Sequence, residues 1–166
     1  MSFEIVHLSS VHHRTHFDCG EDALTKYIKH QANQDIKRKL SVCFVAINEL
    51  NHVIAYYTLS NSGVPKELIP VTLQKKFPNS YVTIPTTLLG RLAVDNQYKG
   101  HKLGEYMLMD ALYKSHQVSK EIGSFAVIVD PINAEATQFY LKYGFIELPD
   151  SGRMFLSMKT IALLFE

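Results

Sequence analysis

Residues 87–118 constrain the fold more than any other stretch. Thr87-Leu88-Leu89-Gly90-Arg91-Leu92-Ala93-Val94 is an apolar run closed by Asp95, and it reads as a central strand. The internal Gly90 points to a bulge or a close backbone approach. Lys99-Gly100-His101-Lys102-Leu103-Gly104 then makes a glycine-punctuated turn. A helix starts there, with Leu103, Met107, Leu108, Ala111, Leu112 and Val118 mostly on one face. Buried strand, tight turn and amphipathic helix together are a unit of α/β architecture. The turn also has a chemical meaning. The first N–H groups of a helix lack intrahelical acceptors, and the helix dipole is positive at that end. Glycines let an anion approach the backbone, and Lys99 and Lys102 add positive charge. No Gly-Lys-Ser/Thr closes a P-loop here, and the G-x-G-x-x-G spacing is absent. Taken alone, a ligand-free strand-to-helix connection would read the same way.

The flanking sequence extends the pattern on both sides. Residues 3–8 read as a first strand, and 21–35 as a helix with Ala23, Leu24, Tyr27, Ile28 and Ala32 at helical spacing behind Asp18 and Gly20 as caps. The β-branched runs 42–47 and 53–60, joined by turn chemistry at 48–52, read as a hairpin. Residues 63–85 carry Pro65, Pro70, Pro78 and Pro85 and read as mostly irregular, with helical hints near 73–76. This is the expected mobile or substrate-facing segment. A buried-type strand follows at 124–129, and Asn133 opens a helix that ends at Tyr143 before Gly144. Residues 154–159 alternate as a closing strand. The class is α/β, a mixed central sheet with flanking helices.

Length and composition set the bounds. The 166 residues fit a single domain, 1–166, and at 46% hydrophobic and 20% charged they suit an ordinary globular chain. Two cysteines, Cys19 and Cys43, are too few for a disulfide framework, which favours a reducing compartment. No basic-then-apolar leader and no membrane-length apolar run appear, so a cytoplasmic protein without a membrane partner is expected. The apolar tail 161–165 is expected to pack on the domain or on a partner. The net charge of +1 says little about partners.

A second motif sharpens the reading. Asp130-Pro131-Ile132-Asn133-Ala134-Glu135-Ala136-Thr137-Gln138-Phe139-Tyr140-Leu141-Lys142-Tyr143-Gly144-Phe145 resembles the signature helix of the GNAT acetyltransferase superfamily. Asn133, Ala136, Phe139-Tyr140 and Gly144-Phe145 match that pattern. Residues 99–104 resemble the family's pyrophosphate loop, with Lys99 in place of Gln/Arg and Lys102 in place of the middle glycine. The Lys102 departure either reduces backbone access to the phosphates or supplies a direct phosphate ligand. The resemblance implies a GNAT-type sheet, acetyl-CoA as co-substrate and no metal. It implies backbone contacts to the pantetheine arm from Leu92, Ala93 and Val94. It assigns the pyrophosphate to the N–H groups of Lys99, Gly100, His101, Lys102, Leu103 and Gly104. Asn133 would touch the pantetheine, and Tyr140 would be the general acid for the departing thiolate, a task that suits a phenol. Without the pattern around it, Tyr140 would read as an aromatic on a buried helix face.

A narrower resemblance covers nearly the whole chain. Phe17-Asp18-Cys19-Gly20, Tyr56-Tyr57-Thr58-Leu59-Ser60, Leu88-Leu89-Gly90-Arg91-Leu92-Ala93-Val94-Asp95 and Met154-Phe155-Leu156-Ser157-Met158-Lys159-Thr160 are similar to the GNAT branch of tRNA-acetylating toxins. It implies acetylation of the α-amino group of aminoacyl-tRNA, a homodimer, and a DNA-binding antitoxin of ribbon-helix-helix type. The residues add support. A lysine amine with pKa near 10.4 needs a base, whereas an α-amine near 7.7–8.0 already has a large neutral fraction at pH 7–8. Strand residues 87–94 hold no carboxylate, although Glu49, Glu67 or a water remain candidate bases.

Several readings stay open on sequence. Arg91 either points outward to a surface carboxylate or contacts a tRNA phosphate or the terminal adenosine. Lys37 and Arg38, with Lys39, are either a solvated face or phosphate contacts. His12, His13, His16 and Cys19 fit no common zinc pattern. Two other functions compete: acetylation of a small-molecule or peptide amine, and a non-catalytic CoA-binding regulatory module suggested by the altered loop.

Overall fold

The structure is a computed structural model that describes all 166 residues. Seven strands make one mixed sheet in the order β1-β2-β3-β4-β5-β7-β6. They are β1 (Glu4–His7), β2 (Val42–Ile47), β3 (Val53–Pro65), β4 (Thr83–Val94), β5 (Ala126–Val129), β6 (Ile146–Glu147) and β7 (Met154–Ser157). The helices are α1 (Asp22–Lys26), α2 (Ala32–Lys37), α3 (Val71–Gln74), α4 (Leu103–Ser119), α5 (Ala134–Lys142) and α6 (Met158–Phe165). β4 and β5 pair in parallel, Thr87 against Val127 and Leu88 against Ile128, whereas β1–β2, β2–β3, β5–β7 and β6–β7 are antiparallel. The mixed α/β class expected from the sequence is the one that forms.

The chain divides into two compact units, Met1–Ser60 with Leu89–Ala111, and Asn61–Leu88 with Leu112–Glu166. In the first, Phe17, Tyr27, Ile28, Val45, Val53, Tyr56 and Ala93 build a core. The β-branched run of β2 supplies it, buried at every position after Val42. In the second, Val64, Ile69, Ile84, Ala126, Ile128, Leu148 and Phe155 pack together. Phe77 meets Phe125 edge to face at 4.9 Å, the arrangement that ring quadrupoles favour.

The structure departs from the sequence reading in several elements. The proline-rich stretch 63–85 is not mostly irregular. β3 runs on to Pro65, β4 begins at Thr83, and a 3-10 turn (Lys66–Leu68) and α3 fill the middle. The early helix is not continuous over 21–35. A π-helical turn, Tyr27–Gln31, separates α1 from α2. Asp18 does not cap it, because its Oδ1 accepts from the N–H of Gly20 at 2.9 Å. The closing strand stops at Ser157, whose Oγ accepts from Thr160 N–H at 3.1 Å and starts α6. Period-2 alternation hid that serine cap. Val118 is 53% exposed, outside the buried stripe of Leu103, Met107, Leu108, Ala111 and Leu112.

Candidate active site

The first unit carries the glycine-punctuated turn. β4 ends at Val94, and the Asp95 side chain, 3% exposed, organises the turn after it. Its Oδ1 accepts from Gln97 N–H at 2.9 Å and its Oδ2 from Asp18 N–H at 3.1 Å. Asn96 N–H donates to the Asp18 carbonyl at 2.8 Å, and the Lys99 ammonium donates to the Cys19 carbonyl at 2.8 Å. Residues 18–20 therefore buttress the turn. The Lys99 charge is tied to that buttress, so its main chain is the part of it that remains for a ligand.

Two left-handed residues shape the turn itself, Gly100 at φ +86° and Lys102 at φ +61°. A Cβ at Gly100 would meet nothing within 4 Å, so the space above its backbone is open. The conformation at Lys102 suits glycine best, which gives the family's usual glycine there a physical reason. Here a lysine holds the same shape. Reduced backbone access, the ground for a non-catalytic module, therefore loses its force. The first intrahelical bond of α4 runs from Tyr106 N–H to the Lys102 carbonyl at 3.1 Å, which leaves the N–H groups of Leu103, Gly104 and Glu105 outside the helical ladder. Exposed His101 and Lys102 precede them. The residues present thus fit a diphosphate: open backbone, undonated N–H groups and a positive dipole end.

Arg91 leaves β4 half-buried, alongside Leu92 and Val94. It does not pair with a surface carboxylate. Its guanidinium carbon lies 3.6 Å from the centroid of the Tyr27 ring instead. Lys37 and Arg38 are exposed at the end of α2. Glu49 and Glu67 are both exposed.

The second unit carries α5. Asn133 Oδ1 accepts from Ala136 N–H at 2.8 Å, and Thr137 Oγ1 donates to the Asn133 carbonyl at 3.2 Å, so the expected N-cap forms. Tyr140 is 8% exposed, with its ring edge-on to Phe139 and Phe145 at 5.3 and 5.2 Å. Burial pushes its phenol well above the ordinary value of 10. It stays protonated at neutral pH.

The histidine-rich segment does not assemble a ligand set. His12 Nδ1 accepts from Ser9 N–H at 3.0 Å, and burial lowers its pKa. Cys19 Sγ lies 3.3 Å from Thr25 Oγ1. No group of three or more His, Cys, Asp or Glu is placed to hold a metal ion. Sequence reasoning passed over the Asp95–Asp18–Lys99 buttress and Tyr27. The Phe17-Asp18-Cys19-Gly20 string was the available signal for the buttress, and Tyr27 looked like an ordinary helix-face aromatic.

Solved structures match along nearly the whole length. The tyrosine-to-phenylalanine mutant of KacT superposes with a TM-score of 0.93 at 30% identity, covering 99% of this chain and 100% of that one. AtaT complexed with acetyl-methionyl-tRNAfMet superposes at 0.91 and 28% identity, covering 99% of this chain and 100% of that one. An AtaT tyrosine-to-phenylalanine mutant bound to acetyl-CoA and the C-terminus of the antitoxin AtaR gives 0.82 at 26% identity, with 98% of each chain covered. The fold is that of a GNAT-type N-acetyltransferase. The tRNA-acetylating toxin of Mycobacterium tuberculosis is 32% identical over 146 residues, 87% of this chain and 86% of that protein. The chain belongs to the tRNA-acetylating toxin family. No protein-family model matches it.

Proposed function

We propose that this chain moves the acetyl group of acetyl-CoA onto the α-amino group of aminoacyl-tRNA, and so blocks translation as the toxin of a toxin–antitoxin pair. The carrying observation is the near-full-length match to AtaT complexed with acetyl-methionyl-tRNAfMet. Acetyl-CoA is the co-substrate. Its diphosphate is held by main-chain N–H groups of residues 99–104, with Lys102 in support. The main chain of Leu92, Ala93 and Val94 and the Asn133 side chain hold the pantetheine arm. The substrate amine, about half neutral near pH 8, forms the C–N bond as the C–S bond breaks. Tyr140 gives its proton to the departing sulfur, and the proton shed by the new amide nitrogen passes through solvent to restore the phenol. Arg91, Lys37 and Arg38 contact the RNA. Residues 1–166 work as one acetyltransferase domain, as a homodimer in the cytoplasm, and a DNA-binding antitoxin of ribbon-helix-helix type restrains it. No helix is long and apolar enough to cross a membrane.

Incubating the protein with acetyl-CoA and charged tRNA, then reading N-acetylaminoacyl product by mass spectrometry, tests this. Product is expected from charged tRNA alone and is greatly reduced in Tyr140→Phe. No product despite acetyl-CoA binding would end the tRNA reading and turn attention to small-molecule and peptide amines.

A further inference from the structure

We infer that Tyr27 is a positioning residue for substrate: its ring is a platform that presents the Arg91 guanidinium to a phosphodiester of the charged RNA. The inference deepens the aminoacyl-tRNA reading and rests on it.

Four observations carry it. The Arg91 guanidinium stacks 3.6 Å from the Tyr27 centroid, and Tyr27 is only 4% exposed. Face-on stacking leaves the N–H edge of a guanidinium outside the contact and able to grip a planar anion in two bonds. Arg91 makes no ion pair with a carboxylate. With no carboxylate partner and its carbon over the ring, the guanidinium keeps its N–H donors for an outside anion.

The platform is itself locked. Tyr27 Oη donates to Asp35 Oδ2 at 2.8 Å and lies 3.3 Å from Ser41 Oγ. The Tyr56 ring stacks with it at 6.1 Å and 18°, and Tyr56 Oη donates to the Leu24 carbonyl at 2.6 Å. Finally, Tyr27 opens the π-helical turn, with Ala32 N–H reaching back to the Tyr27 carbonyl. Such turns are rare inside helices and occur frequently at functional sites. Arg14 Nη1 donates to the Ile28 carbonyl inside that turn at 3.0 Å and braces it. A guanidinium already ordered on a ring loses less freedom when it binds phosphate than a free arginine does.

The test is steady-state acetylation of charged tRNA by Arg91→Ala, Tyr27→Leu, the double variant and Tyr27→Phe. KM for charged tRNA is read beside KM for acetyl-CoA. Arg91→Ala is expected to raise the tRNA KM by about tenfold, the effect of one charged contact. It should also flatten the log–log salt dependence of tRNA binding by roughly 0.7–0.9. Tyr27→Leu should raise the tRNA KM several-fold, and the double variant should be no worse than Arg91→Ala. Tyr27→Phe, which restores the ring, should recover most of the loss, and KM for acetyl-CoA should stay within about twofold throughout. Independent, multiplying effects of the two substitutions would overturn the proposal. So would a loss of thermal stability in Tyr27→Leu with the tRNA KM unmoved. Wild-type protein inactive on every charged tRNA would instead defeat the reading beneath it, a separable result.

Discussion

Tyr140 and Lys102 show how a residue's surroundings set its chemistry. Burial among Phe139 and Phe145 disfavours the phenolate of Tyr140, so its proton is retained through and beyond pH 10. With Tyr140 as the proposed acid, kcat should show no alkaline limb owed to it between pH 7 and about 10. Tyr140→Phe should lower kcat by about 10²–10⁴ with KM for acetyl-CoA little changed. A limb near pH 10 that vanishes in the variant would contradict this role. Burial raises Tyr56 and Tyr57 in the same direction, the latter also through its 2.6 Å hydrogen bond to Asp110. Above pH 10 the unfolded chain releases these phenolic protons while the folded chain keeps them. Stability is thus full below pH 10 and falls as pH rises beyond it, which chemical denaturation across pH 8–11 can follow. Lys102 separates backbone from side chain. Lys102→Gly keeps the left-handed turn and removes the ammonium. An acetyl-CoA KM raised by about tenfold would assign a phosphate to the ammonium, and an unchanged KM would assign it to the main chain alone.

At the scale of elements, the turn before α4 depends on a partner far away in sequence. The Asp95 carboxylate receives two main-chain N–H groups, one local and one from Asp18. Asp95→Asn turns an acceptor into a donor facing an N–H, with an expected cost of about 1–3 kcal/mol. The variant should melt earlier and show a raised KM for acetyl-CoA with kcat less affected, because the loop shifts while Tyr140 stays on α5. An unchanged acetyl-CoA KM would show that the clamp serves stability only. At α5 local chemistry suffices, since Asn133 caps the helix by a bond to a residue three positions on.

For the whole molecule, the free thiols report on the folded state. Cys19 and Cys43 are both buried and unpaired, and burial pushes the Cys43 thiol up to about 12. Native protein at pH 8 should therefore modify slowly with a thiol reagent, and denaturant should release both. Rapid reaction of either in native protein would mean that its unit opens readily. The net charge of +1 gives no bulk attraction for RNA, so under the proposed function affinity would rest on placed groups such as Arg91.

The sequence by itself determined the features that neighbours along the chain decide. The strand of residues 87–94, the glycine turn, the stripe of α4 and the Asn133 cap all arise from periodicity and caps acting over a few residues, and all stand in the structure. Local signals failed where long-range pairing overrode them. The prolines Pro65 and Pro85 sit within β3 and β4 instead of marking an irregular stretch. Only the tertiary structure decided which partner each polar group takes. Lys99 reaches Cys19 across 80 positions, Asp95 reaches Asp18 across 77, and Arg91 lies on Tyr27. A residue's type tells which bonds it is able to make, but the folded chain alone brings the partner within reach.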